Sequence, residues 1–379
     1  MKNFTKLWLA SFKVAAKAQR QTQKRLLDSL LPQAPKPAAP RRKAVKTASV
    51  SGVAAKSART AAKAAPGPAF PVDDASRLPG KWMAYTYALS SPRAPLRRMP
   101  YWLYLPKSAA SAPLPLVVML HGCEQTAPGF AQGTRMNWLA EREGFAVLYP
   151  QQTPRGHPQR CWHWYERHTQ EGAEDAERIV GIVTRVCASY AIDRSRIYIA
   201  GLSAGAGMAQ IVALNHPELF AAVGLHSGAV FGASRNRAAA MGVMQFGGAR
   251  EAQAAIAELL QRKPGFPGMP AILIHGREDR VVRHVNLEQL AAQFRMLNAI
   301  EPGAMRLSEK AARGGQRAAH AYRLQDGWRG RKLLLRVCEI HGLEHAWSGG
   351  DAHVKYHSGI GPDASAMMWD FFARHRRGA

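Results

Sequence analysis

Five residues suited to an extended chain, Arg196-Ile197-Tyr198-Ile199-Ala200, run straight into Gly201-Leu202-Ser203-Ala204-Gly205, and a helix-like stretch, Ala206-Gly207-Met208-Ala209-Gln210-Ile211, comes at once after them. A strand that turns into a helix within so few residues needs a tight bend, and glycines at its two ends remove side chains that would collide there. The bend presents its central residue, Ser203, at the carboxyl edge of a sheet, with the positive end of a helix dipole behind it. A buried strand also needs neighbours, and the rest of the chain offers them. Residues 116–120, 145–149, 221–225, 271–275 and 333–340 read as further buried strands, and 82–88 with 98–105 suit an early hairpin. Helical stretches lie between most of the strands, such as 173–190, 206–215 and 285–296, and 364–376 reads as a closing helix. Strands alternating with helices predict an α/β fold with a mostly parallel central sheet covered on both faces.

A serine at such a bend has a chemical reading beside the plain one of a glycine-rich turn. A hydroxyl is a weak nucleophile that needs a base, and the base needs an orienting carboxylate. In strand–turn–helix arrangements of this kind the chain order is serine, acid, histidine. Gly276-Arg277-Glu278-Asp279 comes directly after the strand 271–275, so its acids sit at the same sheet edge as Ser203. Asp279 is the candidate and Glu278 the second choice; the alternative is an acid in a surface turn. After 333–340 comes His341-Gly342-Leu343-Glu344-His345-Ala346-Trp347-Ser348-Gly349-Gly350, in which glycines on both sides let His345 reach back. His341 sits at a strand end and reads as structural, while His353 and His357 are weaker rivals. A tetrahedral intermediate needs two backbone N–H donors. Ala204, next after the nucleophile, is one; Cys123, in His121-Gly122-Cys123 after the strand 116–120, is the other, through its N–H and not its thiol. The plain reading of Cys123 is a buried small residue.

The remaining cysteines do not suggest another chemistry. Cys123, Cys161, Cys187 and Cys338 include no C-x-x-C pair, which argues against a structural zinc site.

Several blocks together carry a family resemblance. Leu120-His121-Gly122-Cys123-Glu124-Gln125, Gly133-Thr134-Arg135-Met136-Asn137, Tyr149-Pro150-Gln151-Gln152 and Cys161-Trp162-His163-Trp164-Tyr165 precede the bend at Ser203. The Asp279 loop, His345-Ala346-Trp347-Ser348-Gly349-Gly350 and Gly361-Pro362-Asp363-Ala364-Ser365 come after it. The series, from about residue 114 to 372, resembles the poly(3-hydroxybutyrate) depolymerase-type esterases, with His163 where asparagine is usual. The resemblance implies an α/β-hydrolase fold without a large lid, no cofactor and no metal, and Ser203, Asp279 and His345 as a catalytic triad. It implies hydrolysis of poly(3-hydroxybutyrate), its oligomers or other short-acyl esters, with feruloyl and acetylxylan esterases as related neighbours. A non-enzymatic alternative is a granule- or nucleic-acid-associated protein with a degenerate hydrolase body. The resemblance also admits a Cys123–Cys161 disulfide, which a reducing cytosol would oppose. Trp162, Trp164 and Trp347 fall near the expected crevice, where they would wall an acyl site or simply pack the core.

Charge divides the chain. Of the net +26, residues 1–66 hold 15 Lys/Arg against Asp28, or 15 − 1 = +14, leaving 37 − 25 = +12 for the rest. Residues 1–32 read as an amphipathic basic helix that ends at Pro32: Lys2, Lys6, Lys13, Lys17, Arg20 and Lys24 share one stripe, opposite Phe4, Trp8, Phe12, Ala15, Leu26 and Leu30. Residues 33–76, rich in Ala, Lys and Pro, read as a disordered linker, and 77–379 as the catalytic domain. The basic segment fits an anionic membrane surface, a polyester granule coat or DNA, with a solvated tail as the plain reading. No apolar run is long enough for a transmembrane segment. The short apolar stretch 7–10, followed by Lys13 and Lys17, makes a poor secretory signal, so a cytoplasmic or granule-associated location is expected, with an extracellular one as the alternative shared by some relatives.

Overall fold

In the computed structural model, residues 78–91, 94–110 and 112–378 are described. The expected helix at 1–32 and the whole of the linker at 33–76 thus lie outside the described residues, as does residue 77.

The hairpin comes first. Strands β1 (Lys81–Ser91) and β2 (Ala94–Leu105) pair antiparallel, and β2 also runs antiparallel to β4 (Ala146–Pro150). Next come β3 (Leu114–Leu120), β5 (Ile192–Leu202), β6 (Ala222–His226), β7 (Ala271–Gly276) and β10 (Lys332–Ile340). They join β4 in one parallel block, in the order β4-β3-β5-β6-β7-β10. Every residue of β3, β4, β6 and β7 is buried, as a sheet covered on both faces requires. Successive side chains serve opposite cores. Leu116, Val118 and Leu120 enter one apolar cluster, Val117 and Met119 the other.

Helices fill each face. α1 (Ala127–Thr134) and α2 (Met136–Glu143) come after β3; the short α3 (Arg167–Gln170) and the long α4 (Asp175–Ser189) lie between β4 and β5. α4 buries Ala176, Ile179, Ile182, Val183 and Val186, a helical stripe. α5 (Ala204–Asn215) is buried along its whole length behind the bend at Ser203. α6 (Arg237–Phe246) and α7 (Ala249–Arg262) separate β6 from β7, and α8 (Val285–Leu297) comes after β7. α9 (Ala364–Phe372), capped by the Asp363 side chain on the Ala366 N–H, closes the other face. Gly224 in β6 is what lets α9 approach: a Cβ there would meet the Met368 sulfur at 2.9 Å and the Phe372 ring at 3.0 Å.

The strands read from sequence are present with boundaries shifted by a few residues. Two were not foreseen: β8 (Met305–Lys310) and β9 (Tyr322–Arg329) extend the sheet antiparallel beyond β10, giving ten strands among the described residues. β8 is an exposed edge of sequence MRLSEK, without the apolar run by which the others announce themselves. Among the described residues, no helix is long and apolar enough to cross a membrane.

Candidate active site

Parallel strands place their carboxyl ends along one edge, and the candidate residues stand there. Ser203 comes directly after β5 with φ 57° and ψ −118°, a left-handed conformation that a serine adopts only when its surroundings impose it. Its N–H donates to the His226 carbonyl at the end of β6, 2.9 Å away. The flanking glycines are sterically required. A Cβ on Gly205 would lie 2.0 Å from the Leu120 carbonyl oxygen, and one on Gly201 would lie 2.3 Å from the carbonyl carbon of Gly205.

Asp279 is three residues past β7 and 4% exposed. One carboxylate oxygen accepts the Val281 and Val282 N–H groups, each at 2.9 Å, and the other accepts Nδ1–H of His345 at 2.7 Å. Burial by itself would raise this carboxyl's pKa. The hydrogen bond and charge of His345, together with His275 and the Val282 amide, more than offset it and hold the group below the usual aspartate value. Asp279 is therefore ionised at neutral pH, and an ionised carboxylate fixes the proton of His345 on Nδ1, leaving Nε2 as the basic nitrogen. The His275 ring, fully buried, stands 3.5 Å from the same carboxylate oxygen and donates Nε2–H to the Val282 carbonyl at 2.7 Å. Backbone contacts hold the two loops together. The N–H groups of Arg277 and Glu278 donate to the carbonyls of Ile340 and Leu343, and a Cβ on Gly276 would lie 2.2 Å from the Leu343 oxygen.

The rival candidates stand elsewhere. Glu278 is exposed, His353 pairs with Asp351 at 2.8 Å, and the His357 ring packs over Gly133 and Phe130. His341 is held through its backbone N–H on Ala321.

The loop after β3 lies against the bend: a Cβ on Gly122 would be 3.4 Å from the Leu202 oxygen and 3.6 Å from the Ser203 Cβ. Among the described residues, neither the Cys123 nor the Ala204 N–H has a hydrogen-bond acceptor. Both thus lack a protein acceptor, and Ala204 opens α5, whose N-terminus favours negative charge. Cys123 is bonded through sulfur to Cys161, so only its backbone can contribute. Sequence reasoning missed what shapes this loop. His121 is buried, and burial pushes its pKa down to about 4, so the ring is neutral. It accepts the Gln152 N–H on Nε2 (3.1 Å) and donates Nδ1–H to the Gly122 carbonyl (2.7 Å). Gln125 accepts the Gly122 N–H at 2.7 Å, and Glu124 receives the Lys355 ammonium at 2.6 Å and the Tyr356 hydroxyl at 2.7 Å. Only the position of His121 before a glycine at a strand end hinted at this. Behind the disulfide, the buried Asp175 carboxylate holds His163 Nδ1 and Gln152 Nε2, each at 2.8 Å, together with Arg178.

The tryptophans do not form an acyl wall, and that expectation is corrected here. Trp162 and Trp347 have 0% of their surface exposed, so neither indole has a face to offer a substrate. Trp162 instead donates Nε1–H to the His121 carbonyl at 2.9 Å, clasping the loop after β3. Trp347 stacks on His226, meets Phe130 edge-on and donates to the Ser365 hydroxyl at 3.2 Å. Trp164, 6% exposed, packs against the backbone of Gly207 in α5.

The disulfide closes 38 residues of chain, worth about 4 kcal/mol of unfolded-state entropy in the chain-entropy account. The Cys123→Ser/Cys161→Ser double variant should therefore melt several degrees lower by differential scanning calorimetry. An unchanged melting temperature would show that the bridge contributes no stability.

Comparison with known proteins adds relatives to this geometry. The family described as "Esterase PHB depolymerase" matches residues 99–315, a span that contains Ser203 and Asp279 and stops short of His345. Poly(3-hydroxyalkanoate) depolymerase C of Paucimonas lemoignei is 32% identical over 200 residues, covering 51% of this chain and 47% of that protein. A probable acetylxylan esterase A of Neosartorya fischeri is 36% identical over 129 residues, 34% of each chain. The chain thus spans about half, or less, of the length of these relatives. Among solved structures, the acetyl xylan esterase from Aspergillus awamori superposes with a TM-score of 0.54 at 21% identity, over 76% of this chain and 99% of that one, a likeness of fold.

Proposed function

Because the chain belongs to the PHB depolymerase esterase family, we propose that it is a serine carboxylic ester hydrolase acting on poly(3-hydroxybutyrate), its oligomers or related short-acyl esters. One observation carries this reading: a strained serine stands at the sheet edge where a buried carboxylate holds an imidazole by Nδ1.

Ser203 Oγ attacks the ester carbonyl carbon as His345 Nε2 takes its proton. The Cys123 and Ala204 N–H groups hold the oxyanion, and Asp279 stabilises the imidazolium. Collapse expels the alcohol, which takes the proton from His345 and leaves an acyl group on Ser203. Water, deprotonated by His345, releases the acid and restores the serine. No step calls for a metal or cofactor.

A feruloyl- or acetylxylan-type carboxylesterase is the second reading, supported by the names of other relatives. A panel of p-nitrophenyl butyrate, 3-hydroxybutyrate oligomers, amorphous polymer, feruloyl esters and acetylated xylan separates the two. We expect the highest kcat/KM on the hydroxybutyrate and short-acyl esters. A preference for feruloyl or acetyl-sugar esters would move the assignment to the second reading, and no turnover of any ester would overturn both.

The disulfide bears on location, since such bonds persist in oxidising compartments. It supports the extracellular alternative over the cytoplasmic one. The basic segment before the described residues is assigned by its charge to an anionic surface, a granule coat or DNA.

A further inference from the structure

His226 ends β6 and has no exposed surface. The triad mechanism has no use for it, yet its polar groups reach both halves of the site. Its carbonyl accepts the Ser203 N–H at 2.9 Å. Its ring nitrogen Nε2 accepts the Ser348 N–H at 3.2 Å, three residues beyond His345 in the same loop. Since Nε2 accepts, the ring proton is on Nδ1, which donates to the Ser227 hydroxyl at 3.1 Å. The ring also stacks on Trp347, with centroids 5.1 Å apart and planes 25° from parallel.

We infer that His226 is a positioning residue that sets the reach of His345 toward Ser203, by binding the nucleophile's bend through its carbonyl and the base's loop through its imidazole. The inference deepens the esterase reading of the site and rests on it.

The ring suits this duty because it stays uncharged. Burial drives its pKa well below that of a free histidine, and the nearby His275 and His345 push the same way, with Asp279 opposing. A neutral imidazole keeps Nε2 available as an acceptor throughout the range in which an esterase works. An imidazolium would point a second N–H at the Ser348 N–H and push the loop away. The rest of the loop is tied to later segments of the chain. The Trp347 N–H donates to the Tyr356 carbonyl, and the Ser348 hydroxyl donates to the Pro362 carbonyl at 2.6 Å. On the β6 side His226 supplies both a hydrogen bond and the stacked face.

The experiment compares three variants of the full chain: His226→Gln, whose amide oxygen can reach the Nε2 position, His226→Asn, whose shorter amide cannot, and His226→Phe, which keeps a ring on Trp347 without an acceptor. Competent serine is counted in each by active-site titration with a fluorophosphonate, and kcat and KM for p-nitrophenyl butyrate are expressed per titrated site. This normalisation removes losses due only to a smaller folded fraction.

Misplacing a base by about 1 Å costs about 10²-fold. We therefore expect kcat per site to fall about that far in His226→Asn and His226→Phe, with KM changed less than about threefold, and His226→Gln to recover at least about tenfold of the loss. If the asparagine variant does not fold, the glutamine and phenylalanine pair decides the matter. Wild-type kcat per site in the variants without an acceptor, or a glutamine variant no better than they are, overturns the inference while the esterase reading stands. Absence of ester turnover in the wild-type chain overturns that reading and the inference with it.

Discussion

Replacing Ser203 with alanine is expected to lower kcat for p-nitrophenyl butyrate by about 10³-fold or more. The bend itself should survive. Its φ of 57° is imposed by the Ser203–His226 backbone bond and by the glycines packed at Gly201 and Gly205, and alanine is smaller than serine. What disappears is the oxygen that the proposed mechanism acylates, while the backbone N–H groups of Cys123 and Ala204 remain. KM should consequently change far less than kcat, and residual turnover should reflect oxyanion stabilisation alone. A serine-directed organophosphate should add once to the wild-type chain, at Ser203, and not to the variant. Turnover within tenfold of wild type in Ser203→Ala, or labelling at another residue, would rule out Ser203 as nucleophile.

Asp279→Asn should cost about as much, near 10⁴-fold in kcat, for a reason visible in the hydrogen bonds. One oxygen of Asp279 is committed to the Val281 and Val282 N–H groups. In the asparagine variant the amide oxygen keeps those two donors, so its NH₂ group faces His345. A donor there drives the imidazole proton from Nδ1 to Nε2, and the nitrogen that the proposed mechanism uses as the base can no longer accept. Size is nearly unchanged and a buried charge is removed, so the fold should hold. A melting temperature close to wild type, with kcat down by thousands, is the expected pair of measurements. Loss of less than about tenfold would mean that His345 takes its tautomer from another partner, with His275, 3.5 Å from the same carboxylate oxygen, the neighbour to examine next.

Much of this arrangement was legible in the sequence because its signals are local. The apolar runs that become β3, β6 and β7 are buried throughout, so burial and hydropathy coincide. The bend at Ser203 needs glycines at fixed places, and these are visible without coordinates. Asp279 and His345, which the structure joins at 2.7 Å, could be paired in advance because a parallel sheet gathers the loops leaving its strands' carboxyl ends along one edge. The features that escaped were set by tertiary contact. β8 and β9 are antiparallel strands, β8 exposed and β9 partly buried, set by pairing β9 on β10 and β8 on β9 rather than by a local pattern. The tryptophans were misplaced because an indole near a site in sequence can face either way, and only packing against His121, His226 and Gly207 decides. His226 was one histidine among 14, with nothing nearby in the chain to mark its contacts.

The ends of β5, β6, β7 and β10 each contribute to the centre, and β10 joins β7 only in the last third of the chain. On the proposed mechanism, hydrolytic competence is thus a property of the completed sheet: a nascent or partly refolded chain would carry Ser203 long before it has His345 to activate it. In a refolding time course, catalysis should reappear after most secondary structure has returned, because it waits for contacts between segments distant in sequence.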